Sequence, residues 1–278
     1  MGCAMIQEIA RLVHPSPKGN RFVAVLAFKF DESYGPRTLV VGGWIAEEVT
    51  WNRVGRIIQD SVDFENSTLP REKRISRYHA AEMNAYSKEF VGWKDEKHRI
   101  PRMTKKMFSA VSDGDMIAVS CGIDLNAFEA VFPGAGKPNA YALCMKKVMV
   151  EIALGMKEHR PLDRVMLIHD HGSWDLEALQ AYNAMVDDPE WEDAWRFVSI
   201  SPLRWQDDAG LQAADMIAYE SFKMINSNVC AGGGAELRKA MKELLKMNDG
   251  VYAEHLNVEG LQILRNEAEK GSALAPGG

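Results

Sequence analysis

The chain has 278 residues, of which 46% are hydrophobic and 26% are charged, and its formal net charge is -6. This composition is typical of a globular protein, and the negative charge disfavours nonspecific attraction to nucleic acid by the molecule as a whole. The four cysteines form no CxxC pair, which argues against a zinc knuckle and against a disulfide framework.

The first predicted elements are a short helix at Met5–Val13, a linker at His14–Asn20 and a strand at Phe22–Phe30. The strand is apolar on both alternating faces, so we expect it in the middle of a sheet. Asp31 and Glu32 follow it directly and alternate between the two faces. Acids at the mouth of a buried strand are typical of ligand sites in open α/β sheets, although Asp31 could instead cap the following turn.

Turn chemistry and apolar periodicity predict the remaining elements. Thr38–Ala46 is predicted to form an antiparallel hairpin with the first strand, and its Gly42 and Gly43 indicate a bulge or a close backbone approach. Further strands are predicted at Met116–Asp124, Arg164–Ile168 and Trp195–Ser201, the last closed by Pro202. Helices are predicted at Glu47–Asp63, Arg99–Val111, Asn139–His159, Ser173–Val186 (capped by Ser173, with Leu176, Leu179, Tyr182 and Val186 inward), Leu211–Ile225, Ala235–Met247 and Leu256–Lys270.

Asp215 is an acid at an inward position of the predicted helix Leu211–Ile225. It lies within the arc of that helix formed by small and apolar residues. A carboxylate facing a core is costly unless it meets a cation, a hydrogen-bond donor or a metal. Its partner is therefore either an arginine, such as Arg204 or Arg77, or a metal ion shared with other acids.

Asp31, Asp170 and Asp215 are the candidate metal ligands. Mutually repelling carboxylates are stable at one place mainly when a divalent cation lies between them. Oxygen donors without cysteine favour a hard ion, Mg²⁺ or Mn²⁺. Two such ions, about 3.5 to 4 Å apart, would support phosphodiester hydrolysis.

Several segments resemble the bacterial family called domain of unknown function 3800. They are DES after the first strand, GGW in the second, YHAAE, the EF-x-GW segment at Glu89–Trp93, and AGLQAADMIAY at Ala209–Tyr219. The resemblance covers about residues 22–226, and Tyr34 departs from it because that family usually has glycine directly after the DES serine.

This family is similar to the ribonuclease H-like superfamily, which implies an α/β fold with a mixed central sheet flanked by helices. By the resemblance, Asp31 is the first-strand acid, Asp170 the central-strand acid and Asp215 the late-helix acid. His79 or Glu82 would supply a fourth ligand or a proton-transfer group. The expected organisation is an N-terminal extension at 1–20, a ribonuclease H-like domain at 21–230, and a helical C-terminal extension with a flexible tail at 231–278.

The predicted function is a divalent-metal-dependent phosphodiesterase or nuclease, with His79 or His171 moving a proton. One alternative is a zinc hydrolase in which His169 and His171, which flank Asp170, bind the ion with Asp31. Another is a non-catalytic binding or regulatory module on the same fold. DNA, RNA, a nucleotide or another phosphoester would all suit the site.

Partners and location follow from charge and hydropathy. The basic segment Arg71–Arg77 could guide a nucleic-acid backbone, or it could be only a solvated face. No apolar run has the length of a membrane span and no secretory leader is recognisable, so we expect a cytoplasmic protein without membrane contact. The oligomeric state stays open.

Overall fold

The structure is a computed structural model that describes residues 25–112, 115–247 and 251–268. The predicted elements at 5–20 and the C-terminal tail lie outside these residues. The described strands are β1 (Val25–Tyr34), β2 (Thr38–Glu47), β3 (Ile117–Asp124), β4 (Arg164–Asp170), β5 (Phe197–Leu203) and β6 (Val251–Leu256). They form one six-stranded sheet in the order β5-β4-β1-β2-β3-β6.

The sheet is mixed. Strand β2 runs antiparallel to β1 and β3, whereas the pairs β1–β4, β4–β5 and β3–β6 are parallel. The central place of β1 and its hairpin with β2 are confirmed. The prediction that the strand ends at Phe30 is wrong, because β1 continues to Tyr34 and its acids Asp31 and Glu32 pair with Gly42 and Val41 of β2.

Helices cover both faces of the sheet, as predicted for an α/β fold. They are α1 (Glu48–Ser67), α2 (Ala80–Ala85), α3 (Arg99–Val111), α4 (Leu125–Val131), α5 (Gly136–His159), α6 (Asp175–Val186), α7 (Leu211–Ala231), α8 (Lys239–Met247) and α9 (Val258–Ala268). One apolar core lies between the sheet and α4, α5, α6 and α9, and the other lies between the sheet and α1, α2, α3 and α7. No helix in the described ranges is both long and apolar enough to cross a membrane.

The two faces of β1 explain why it lies between these cores. Phe28 and Phe30 pack into the core under α5, while Ala27 packs into the core under α1 and α7. Lys29, on the second face, is buried in an ion pair with Asp208, in the loop before α7. A strand whose alternate residues are buried on both sides must lie inside the sheet. The sequence pattern alone was therefore sufficient to predict the position of β1.

The glycines of β2 allow a close backbone approach. A Cβ at Gly43 would clash with the Lys29 carbonyl oxygen and lie 2.7 Å from Phe30 Cα. A Cβ at Gly42 would lie 3.3 Å from Ala218 Cα, so the backbone of α7 rests directly on this strand. The register of β1 and β2 is continuous, so the close approach is confirmed and the alternative of a bulge is wrong.

Helix α6 differs from its prediction in two ways. It begins at Asp175, and its N-cap position is Trp174 rather than Ser173. The side chains of Leu176 and Leu179 were expected to face inward, but they are 61% and 45% exposed. Tyr182 is buried as predicted, and Ala178, Ala181 and Met185 are buried in place of the two leucines where α6 packs against α5.

Two strand predictions also need correction. Pro202 does not close β5 but lies within it, and proline is tolerated there because β5 is an edge strand. The segment after residue 230 was predicted to be helical only. It contains β6, which pairs with β3 as the other edge strand of the sheet, before α9.

Candidate functional site

A cleft of about 280 Å³ lies at the end of the sheet where β1 and β4 finish and α7 begins. Its walls include Asp31 and Glu32 from β1, Asp170 from β4 and Asp215 from α7. Because β1 and β4 are neighbouring parallel strands, their carboxyl ends lie side by side. The three acids singled out in the sequence therefore line one cleft, and Glu32 joins them.

Two side chains of helix α7 accept hydrogen bonds from backbone N–H groups of the segment that forms the wall opposite the strands. The Ala80 N–H donates to Asp215 Oδ2 at 2.6 Å, and the Tyr78 N–H donates to Gln212 Oε1 at 2.7 Å. These contacts fix the segment from Tyr78 to Ala80, so that His79 Nδ1 lies 3.9 Å from Asp215 Oδ1. The inward position of Asp215 is thus explained in part by a donor rather than by a cation.

Arg77 is the cation on this wall, but Asp215 is not its ion-pair partner. Its guanidinium lies 3.9 Å from Asp170 Oδ2 and 3.6 Å from Glu82 Oε1. Within the described residues, no ion pair of 4 Å or less joins Asp215 to Arg77 or to Arg204. A direct salt bridge between Asp215 and either arginine is therefore not confirmed, although Arg77 is near enough for its charge to oppose the rise in the pKa of Asp215.

His79 and Glu82 meet beside the acids, although His79 is the extended N-cap residue of α2 and lies outside the helix that their spacing assumed. His79 Nε2 lies 3.5 Å from Glu82 Oε1, and Lys88 Nζ lies 2.7 Å from the same oxygen. Burial, aided by Arg77, lowers the pKa of His79. The ring is then neutral at pH 7, and its Nδ1 is buried without a hydrogen-bond partner in the described structure. A neutral imidazole can accept a proton or bind a metal.

Burial and mutual repulsion raise the pKa values of the acids. Burial raises the pKa of Asp31 to about 8, with Asp215 and then Asp170 adding to the shift. Burial, with repulsion from Asp31, raises the pKa of Glu32 to about 9. Burial also raises the pKa of Asp215 to about 7, although the Ala80 N–H opposes that shift. The cleft therefore needs protons or added cations at neutral pH.

The donor chemistry of the cleft fits a hard divalent cation, because the acids supply only oxygen. The orphaned Nδ1 of His79 is a further donor at its edge. However, no group of three or more histidine, cysteine, aspartate or glutamate side chains among the described residues is arranged to hold one metal ion. The acids share a cleft, but they do not form a ready-made coordination cage.

The histidines around Asp170 face a different side of the sheet. His169 is buried against Phe30, with ring centroids 5.4 Å apart, and its Nδ1 lies 3.6 Å from Asp175 Oδ1. His171 also contacts Asp175. Since Phe30 and Asp31 alternate along β1, the ring of His169 lies away from the Asp31 face, and the three ligands of the predicted zinc site are not brought together.

Some cleft residues were not selected from the sequence. Glu32 directly follows Asp31, and that position is the sequence signal that would have included it in the site. The sequence offered Arg77 as a possible partner of Asp215 and as the end of a basic segment, whose Arg71–Lys73 portion forms an exposed 3₁₀ turn, but not as the neighbour of Asp170 and Glu82. Trp205 carried no recognisable pattern, yet its backbone N–H donates to Asp170 Oδ1 at 3.2 Å.

Comparisons with known proteins add no family to this geometry. No model of a protein family matches the chain, and no curated protein matches it either. The resemblance described from the motifs therefore stays a prediction, and function is argued from the cleft.

Proposed function

We propose that this chain is a divalent-metal-dependent phosphodiesterase of the nuclease type on a ribonuclease H-like sheet. The observation that carries the proposal is the convergence of Asp31, Glu32, Asp170 and Asp215 on one cleft. Their raised pKa values, caused mainly by burial, mean that ionising them together is costly without a cation. A site of this kind is unfavourable for stability alone, which is typical of a functional site.

The arrangement of the acids supports the finer fold assignment. The resemblance to domain of unknown function 3800 implies acids on a first strand, a central strand and a late helix. Here β1, β4 and α7 supply Asp31, Asp170 and Asp215. The mixed sheet with helices on both faces agrees with the same assignment.

Asp31, Asp170 and Asp215 would hold Mg²⁺ or Mn²⁺. When bound, such ions polarise a phosphoryl oxygen and lower the pKa of water. Around them, Arg77 can donate paired N–H groups to a phosphate, a geometry that a guanidinium favours. His79, neutral at pH 7, can accept a proton from the attacking water. Glu82 lies beside the imidazole, with its Oε1 3.5 Å from His79 Nε2, where it can orient the ring.

The alternative is a binding or regulatory module that uses the same fold without turnover. In that case the buried acids would remain partly protonated and no cation would be needed. Nucleic acid is the proposed partner in either case, approached through Arg77 and the exposed basic residues that precede it.

The test is thermal unfolding in EDTA and then in Mg²⁺ or Mn²⁺, for the unmutated chain, Asp31→Asn and the exposed control Glu158→Gln. A ligand at a hundred times its Kd stabilises a protein by about 2.7 kcal/mol. We expect that gain in the unmutated chain and in Glu158→Gln, and its loss in Asp31→Asn. Manganese-dependent cleavage of labelled oligonucleotides should follow the same pattern. If the unfolding temperature of all three proteins is the same with and without metal, the proposed metal site is wrong.

A further inference from the structure

Two of the aromatic residues that line the acidic cleft, Tyr34 and Trp205, are accessible, whereas Tyr78 is buried. Tyr34 is the last residue of β1, and its side chain is 52% exposed. Trp205 follows β5 by two residues and is partly buried. Both rings line the cleft with the acids, and the mechanism proposed above uses neither of them.

The strand order places these two residues on opposite sides of Asp170. Strands β5, β4 and β1 are consecutive neighbours, and Asp170 ends the middle one. Neighbouring strands lie about 4.8 Å apart, so β5 and β1 are separated by about 10 Å. Tyr34 lies three residues beyond Asp31 and on the Phe30 side of β1, so a chain lying across the acids would meet Trp205 beside Asp170 and Tyr34 further along β1, past the end of β4.

Contacts with neighbouring side chains hold the ring of Tyr34 in place. Trp174 meets it edge to face at 5.8 Å, and Trp174 in turn stacks on the buried Tyr141 at 4.8 Å. Lys137 Nζ lies 5.8 Å from the centroid of the Tyr34 ring. A fixed, half-exposed ring with a cation beside it resembles the stacking platforms that bind unpaired bases.

Trp205 is paired with the arginine of the cleft. The guanidinium of Arg77 lies 5.1 Å from the centroid of the Trp205 ring, while its nitrogens lie near Asp170 and Glu82. An arginine over an aromatic ring can contact a phosphate with its edge while the ring contacts a base. The two sides of the cleft therefore each carry an aromatic ring with a cation nearby.

From this arrangement we infer that the substrate is a single-stranded nucleic acid whose bases stack on Tyr34 and Trp205 while its backbone crosses the acids. The inference rests on the proposed function. In a duplex the bases stack on one another and their faces are not available to side chains, whereas in a single strand they are. Because every base has a π face, little sequence preference is expected.

The test measures binding without requiring turnover. Fluorescence anisotropy in Ca²⁺ compares single strands of about 12 nucleotides, as DNA and as RNA, with a duplex of the same sequence. Tyr34→Ala and Trp205→Ala remove one ring each, and Tyr34→Phe keeps the ring. Tyr252→Ala is the matched control, since Tyr252 is a strand tyrosine on β6 that is 49% exposed and outside the cleft.

A stacked base is worth about 1 to 3 kcal/mol, which corresponds to roughly 5-fold to 150-fold in affinity. We expect single strands to bind at least 10-fold more tightly than duplex. Tyr34→Ala and Trp205→Ala should weaken single-strand binding within that range, and Tyr34→Phe and Tyr252→Ala should not. The DNA and RNA arms show which sugar the cleft prefers.

Equal affinity for duplex and single strand would overturn the inference, as would equal losses in Tyr34→Ala and Tyr252→Ala. These failures are distinct from failure of the proposed function. Metal-dependent cleavage of a small phosphodiester, such as bis(p-nitrophenyl) phosphate, without single-strand preference would refute only the substrate. Single-strand binding through Tyr34 without any cleavage would refute only the hydrolase.

Discussion

The Ala80 amide donates a 2.6 Å hydrogen bond to the Asp215 carboxylate, joining two residues 135 positions apart in the chain. Through this bond the late helix α7 fixes the start of α2, which carries Glu82. Because the bond uses one carboxylate oxygen as an acceptor, amide and alanine replacements of Asp215 should behave differently.

Asp215→Asn keeps an acceptor for the Ala80 N–H and removes a buried charge. We expect its free energy of unfolding in EDTA at pH 8 to equal or exceed that of the unmutated chain. Asp215→Ala leaves the amide unpaired, which costs about 1 to 3 kcal/mol and should make it the less stable variant. Both should lose metal-dependent cleavage. Urea unfolding and a cleavage assay measure the two effects, and a cleavage-competent Asp215→Asn would contradict the assigned role.

Stability without metal should fall as pH rises. The ordinary carboxyl pKa is near 4, and burial raises the pKa to about 8 for Asp31 and about 7 for Asp215. Between these values the folded chain binds more protons than the unfolded chain, so the free energy of unfolding decreases with increasing pH. Thermal melts in EDTA from pH 5 to 9 should show this decrease, and saturating Mn²⁺ should flatten it. A profile in EDTA that rises across this window would contradict the buried, uncompensated acids.

The buried pair of Lys29 and Asp208 should be costly to break from one side. Lys29 Nζ donates to Asp208 Oδ1 at 2.7 Å and lies 4.5 Å from the centroid of the Trp51 ring. Removing one partner of a buried pair typically costs 3 to 5 kcal/mol, because the other charge is left without compensation. We expect that loss for Asp208→Asn in urea unfolding.

Two controls define this effect. The double variant Lys29→Met with Asp208→Asn should recover most of the lost stability, because no lone charge remains buried. Glu236→Gln breaks the exposed pair with Lys242 and should change the free energy of unfolding by less than about 1 kcal/mol. Similar losses at the exposed and buried pairs would show that Lys29 is not desolvated as described.

Gly43→Ala should be strongly destabilising, whereas Gly55→Ala should not. A Cβ at Gly43 meets the backbone of β1, which cannot move aside without breaking the central ladder. At Gly55, within α1, the nearest atom would be 3.8 Å away, and alanine favours a helix by about 1 kcal/mol. Thermal unfolding should therefore show a lower unfolding temperature for Gly43→Ala and a higher one for Gly55→Ala. An unchanged unfolding temperature for Gly43→Ala would contradict the close approach.

The sequence predicted the elements whose local pattern reflects their surroundings. The double-faced apolar run of β1 required a central place in the sheet, and the turn after it favoured a hairpin. The predicted inward face of α6 was right at Tyr182 but wrong at Leu176 and Leu179, because the buried arc of the helix passes through Ala178, Ala181 and Met185. Strand β6 was missed because VYAEHL alternates weakly and has a neighbour on one side only.

The same distinction between local sequence pattern and long-range contacts applies to the residues of the cleft. Asp31, Asp170 and Asp215 could be selected because each acid is locally unusual, at the end of an apolar strand or on the inner side of a helix. Trp205, and the place of Arg77 beside Asp170, could not be predicted, because they depend on contacts with residues far along the chain. No short-range pattern encodes those contacts, so tertiary structure was needed to find them.

The close packing of helix α7 on Gly42 affects which metal ions the proposed site would prefer. Gly42 is the cross-strand partner of Asp31, and Ala218 lies one turn beyond Asp215. Helix α7 therefore packs on β2 partly through main chain against main chain, and a Cβ at Gly42 would also lie 3.0 Å from Ser120 Cβ, so the separation of the two acids has little room to adjust. For the proposed metal site, such a stiff spacing would discriminate between ions by radius. A single methyl group at Gly42 would widen the gap and shift preference from Mg²⁺ towards larger ions.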